Sequence, residues 1–67
     1  MSDYQLQAKL GNRTSTMRFV EDNDSDAMLS AICKILDKAI NDDLWAKGRI
    51  RLTNRTTKEL VSDMGSK

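Results

Sequence analysis

Leu6-Gln7-Ala8-Lys9-Leu10-Gly11-Asn12-Arg13-Thr14 alternates apolar and polar residues, then breaks at a glycine and a polar run. The same grammar returns at Arg49-Ile50-Arg51-Leu52-Thr53-Asn54-Arg55-Thr56, so the tripeptide Asn-Arg-Thr occurs twice. Apolar residues follow each copy, Met17 and Phe19 in one case, Leu60 and Val61 in the other. Alternation is the period of a half-buried strand, and asparagine suits the break because it tolerates the left-handed backbone. The chain thus reads as two hairpins flanking whatever lies between them.

In the first hairpin Tyr4, Leu6, Ala8 and Leu10 share one face, and Gln5, Gln7 and Lys9 the other. A loop at Gly11-Asn12, with glycine supplying the positive φ, sets Leu6 opposite Met17 and Tyr4 opposite Phe19. A loop at Asn12-Arg13 pairs Ala8 with Met17 and Leu6 with Phe19 instead. Both registers keep the apolar face intact, because they differ by two residues in the pairing.

The intervening stretch is helical. Met28, Leu29, Ala31, Ile32, Ile35, Leu36, Ala39 and Ile40 recur at steps of three and four, which predicts a helix over about 25–41. Asp24 or Ser25 suits the cap, and the acids of residues 21–26 favour the positive end of the helix dipole. The apolar arc is broader than one small sheet covers. Leu29, Cys33 and Ile40 lie on its flank as candidate contacts with a second subunit.

Asp42 and Asp43 are badly placed for the end of that helix, whereas Lys47-Gly48 is a good stop signal. The expected course is a turn at residues 41–43 and then an extended segment. Leu44, Ala46, Gly48, Ile50 and Leu52 would point inward, and Trp45, Lys47, Arg49 and Arg51 outward. The last segment has two readings. A loop at Asn54-Arg55-Thr56 makes a hairpin with Arg51 facing Glu59 and Ile50 facing Leu60. Thr56-Thr57-Lys58-Glu59 also has the form of a capping box that would open a short helix over 57–64. The hairpin is preferred. The expected fold is α+β, a single domain over 1–67 in the order ββαββ, an antiparallel sheet with the helix on one face.

Sixty-seven residues make a thin core, and neither a disulfide nor a zinc site is open to a chain with one cysteine and no histidine. A homodimer is the natural remedy. The net charge of +1 hides segregation: residues 21–26 carry four acids, residues 47–58 five cations and no acid. No apolar run approaches the ~18 residues of a membrane span, and the N-terminus lacks a signal-peptide layout, so the expected setting is cytoplasmic.

The candidate chemistry is that of binding. Asp22, Asp24 and Asp26 mimic the opening of a calcium loop, but Ala27 and Cys33 stand where it needs glycine and glutamate, so no metal is expected. Without histidine or a glycine-rich phosphate loop, no enzyme, cofactor or small-molecule substrate is expected. Trp45, Lys47, Arg49 and Arg51, joined by Lys9 and Arg18 of like parity, predict a basic sheet face for single-stranded nucleic acid, with the indole as stacking platform. The alternative is a homodimeric protein–protein interaction module in which Trp45 anchors the interface. A compact accessory protein of a virus or mobile element is also compatible with so small a chain.

Overall fold

The structure, a computed structural model, describes residues 1–65. In chain order it comprises β1 (Ser2–Leu10), β2 (Arg13–Glu21), α1 (Asp24–Ala39), α2 (Asp43–Lys47), β3 (Arg49–Asn54) and β4 (Glu59–Gly65). The strands form one antiparallel sheet in the order β2-β1-β3-β4. The ββαββ α+β fold is therefore the expected one, with a short second helix added.

Alternation explains the two central strands. Tyr4, Leu6 and Ala8 of β1 are fully buried, and Ile50 and Leu52 of β3 join them. Ala27 and Ala31 of α1 close over this face, their small side chains letting the helix lie near the sheet. Leu44 and Trp45 of α2 complete the core, and Trp45 is the largest fully buried side chain. Phe19 of β2 stacks on Tyr4 with ring centroids 5.8 Å apart, and the Lys34 ammonium sits 4.9 Å above the Phe19 ring.

The first hairpin takes the Gly11-Asn12 register, with Leu6 opposite Met17 and Tyr4 opposite Phe19. Gly11 has φ +61° and Asn12 is not left-handed, the pattern of a type II′ turn that demands glycine first. The second hairpin forms, but with a different register from the one expected. Arg51 faces Asp63 rather than Glu59, and Ile50 faces Met64 rather than Leu60. Two local events cause this. The loop takes residues 55–58, closed by Lys58 at φ +63°, and a bulge at Val61 adds one residue to β4.

The larger departure is α2. Residues 44–47 are not extended, because Asp42 and Asp43 do not end α1; they begin a second helix. The Asp42 carboxylate accepts the Leu44 amide at 2.9 Å, and Asp43 sits in the first turn where negative charge is favoured. Lys47-Gly48 then ends the helix, with the Gly48 amide donating to the Leu44 carbonyl. Helical steps turn Trp45 inward, where a strand would have turned it out.

At the other end, Asn23 rather than Asp24 or Ser25 caps α1, accepting the Asp26 amide at 2.9 Å. Asp24 is thereby free to accept a hydrogen bond from the Tyr4 hydroxyl at 2.7 Å. Buried Asn54 donates to the same carboxylate at 3.2 Å and accepts the Thr56 and Thr57 amides. These bonds tie the second loop to the start of α1. The two Asn-Arg-Thr copies are thus not equivalent: Asn12 is an exposed turn residue, Asn54 a buried strand end.

Candidate functional site

Two exposed faces stand out, one on each side of the molecule. The first is the sheet face that the helices leave uncovered. Strand register lays its side chains out in rows. Thr14, Lys9 and Arg49 form one, Thr16, Gln7, Arg51 and Asp63 the next, and Arg18, Gln5, Thr53 and Leu60 a third. Lys9, Arg18, Arg49 and Arg51 of the expected set therefore share this face, all solvent-exposed.

Trp45 and Lys47 do not join them. Trp45 is 2% exposed and belongs to the core, so it neither stacks on a base nor anchors an interface. Lys47 is exposed at the end of α2, off the sheet. Tyr4 and Phe19 belong to the helix side, and Phe19 reaches the basic face only at the groove at its far end, so the rows themselves carry no aromatic platform.

Asp63 neutralises part of this face. Arg49 grips it with two bonds, 3.1 Å from Nε and 2.6 Å from Nη2, and the Arg51 Nε lies 3.5 Å away. Hydrogen bonding to Arg49 holds the Asp63 carboxyl below the usual carboxylate range. No carboxylate pairs with Lys9, Arg18 or Arg55 among the described residues. Arg55 belongs to the basic run of residues 47–58 but not to the expected site, because a loop residue has no strand parity. Here it lines, with Arg18, Asp3, Phe19 and Val20, a shallow groove of about 190 Å³ at the far end of the face.

The second face is the outer side of α1. Leu29 is 65% exposed, Ile32 41%, Leu36 64% and Ile40 78%, and Cys33 is exposed among them. Leu29, Cys33 and Ile40 thus sit on an open flank, as the width of the apolar arc suggests. Ile32 and Leu36 extend it into a continuous stripe. The same width was the available signal for both, since a helix half-covered in apolar residues exceeds what four short strands can bury. The expected flank holds three of these five residues; geometry adds Ile32 and Leu36, and nothing among the described residues covers them.

Among the described residues, no three His, Cys, Asp or Glu side chains gather as a metal site, and no helix is long and apolar enough to cross a membrane. Comparison with protein-family models, curated sequences and solved structures finds no match. The functional reading therefore rests on these two faces.

Proposed function

We propose that this protein is a non-enzymatic interaction module that pairs with a second copy of itself through the outer face of α1. The observation that carries the reading is the stripe of Leu29, Cys33, Leu36 and Ile40, apolar and solvent-facing along α1. Contiguous exposed apolar side chains on a soluble domain mark interaction surfaces. A domain this small gains most from covering them, because its own core is thin.

The occupant follows from the spacing. The four residues are separated by steps of four, three and four, which reads the same from either end. A two-fold axis near the middle of α1 sets Leu29 of one protomer beside the partner's Ile40, and Cys33 beside the partner's Leu36. A C2 contact requires this self-complementarity. Antiparallel helices also align their dipoles favourably.

Sedimentation mass is the test. The protein should run at about twice its 7.6 kDa chain mass at high micromolar concentration. Leu36→Glu should run as a single chain with its helical signal intact, because the side chain is exposed already. A wild-type protein that stays monomeric across that range would defeat the reading.

A further inference from the structure

We infer that the open sheet face binds single-stranded nucleic acid along its phosphates, without base stacking. This surface lies on the opposite side of the sheet from α1, so the inference stands apart from the dimer and does not require it.

The argument begins with the layout of charge. Successive outward residues on a strand lie ~7 Å apart, and neighbouring strands ~5 Å apart. Lys9 and Arg49 occupy one end of the face, Arg51 the next row, and Arg18 a third. Arg55 continues the line across the groove at the far end. The cations thus form a track ~20 Å long. Facing acids are Asp63, engaged by Arg49 and Arg51, and Asp3 beside Arg18 and Arg55 in the groove. The balance remains positive.

The residues between the cations select the occupant. Gln5, Gln7, Thr14, Thr16 and Thr53 offer both donors and acceptors on the same face. Base edges and sugars use both, whereas an acidic peptide's carboxylates use donors alone. A broad sheet face also suits a flexible strand that lies along it better than a rigid duplex, whose phosphates curve away. Trp45 and Tyr4 are buried, and Phe19, held between Tyr4 and Lys34 on the helix side, reaches this face only at the edge of the groove, so the rows of the track carry no stacking partner. Affinity then comes from counterion release and should be modest, sequence-tolerant and steeply salt-dependent.

The number of cations fixes the size of the salt effect. Asp63 offsets one charge of the Arg49–Arg51 pair, which leaves that pair's second charge with Lys9, Arg18 and Arg55, four cations to neutralise phosphates. For single strands this gives a log–log slope of about −3, a ~50-fold loss of affinity between ~50 mM and ~200 mM salt.

Fluorescence anisotropy of a labelled oligothymidylate titrated with the full chain reads this directly. Binding with that slope, equal for oligothymidylate and oligoadenylate, is expected. The double variant Lys9→Glu with Arg18→Glu should lose at least tenfold in affinity. Lys34→Glu with Lys38→Glu, on the helix side, changes net charge equally and should bind as wild type. Circular dichroism of each variant checks that the fold persists. No binding at low salt overturns the inference, as does an equal loss in both double variants. Tighter binding to polyglutamate or to duplex DNA than to the single strand would also overturn it, assigning the face to another partner. A monomeric mass in sedimentation leaves all these readouts in place, so failure of the dimer and failure of this site are distinguishable.

Discussion

Trp45 is where the local pattern and the fold part company. In a strand it would have projected beside Lys47, Arg49 and Arg51; in α2 it is sealed in the core. The consequence is measurable with the chain's one tryptophan. Its emission should be blue-shifted and resistant to iodide in the folded protein, and should stay unchanged when an oligonucleotide binds. Emission like that of the free amino acid, quenched readily in the native state, would contradict the burial.

Tyr4 offers a second single-residue reporter, again the only one of its kind. Burial, reinforced by its hydrogen bond to the Asp24 carboxylate, pushes its hydroxyl from the ordinary value near 10 up to about 12. The folded state therefore holds the phenol proton more tightly than the unfolded state does. The stability from this linkage is fully present below pH 10 and declines as pH rises from 10 towards 12. A spectrophotometric titration of tyrosinate in the native protein should show a midpoint well above the ordinary one. A midpoint near 10 would mean an exposed phenol.

Among the elements, α2 depends on the glycine that ends it. A Cβ at Gly48 would press into the Leu44 carbonyl oxygen and lie 2.8 Å from the Lys9 carbonyl oxygen, both backbone atoms that cannot swing away. Gly48→Ala should therefore cost about 1–3 kcal/mol, seen as a lower urea midpoint. Gly11 makes an instructive contrast, because a Cβ there meets nothing and only its φ of +61° resists substitution. Gly11→Ala should cost about 1–2 kcal/mol, all of it backbone strain. If Gly48→Ala proves neutral, the Lys9 carbonyl of β1 does not lie against Gly48. The strand β4 shows a different dependence: its register is displaced by one residue at Val61, a bulge of the kind that bends an edge strand.

Taken as a whole molecule, the chain presents two contrasting surfaces. One side of the sheet carries the core and α1, whose outer stripe of Leu29, Ile32, Leu36 and Ile40 stays bare. The other side carries Lys9, Arg18, Arg49 and Arg51 among amides and hydroxyls. Pairing through α1 would leave both copies' basic faces turned outward, so a dimer would present two tracks to one strand and gain avidity.

Much of this is legible in the sequence alone. Alternation in β1 and β3 set which residues face in, and parity alone placed Lys9 and Arg18 with Arg49 and Arg51. Period and width of the apolar arc located α1 and its surplus face. These features are local, repeated over several residues, and therefore written redundantly in the chain. The state of residues 43–47 and the pairing of β4 were not written that way. A five-residue helix has no stability of its own, since nucleation costs more than so few hydrogen bonds return. It exists because burying an indole against the sheet outweighs that cost, and only the assembled tertiary structure supplies the cavity. The loop that leads into β4 is likewise held from outside, with the Arg55 amide donating to the Asp3 carbonyl and the Asp3 amide to the Thr56 hydroxyl, contacts that join residues distant in sequence.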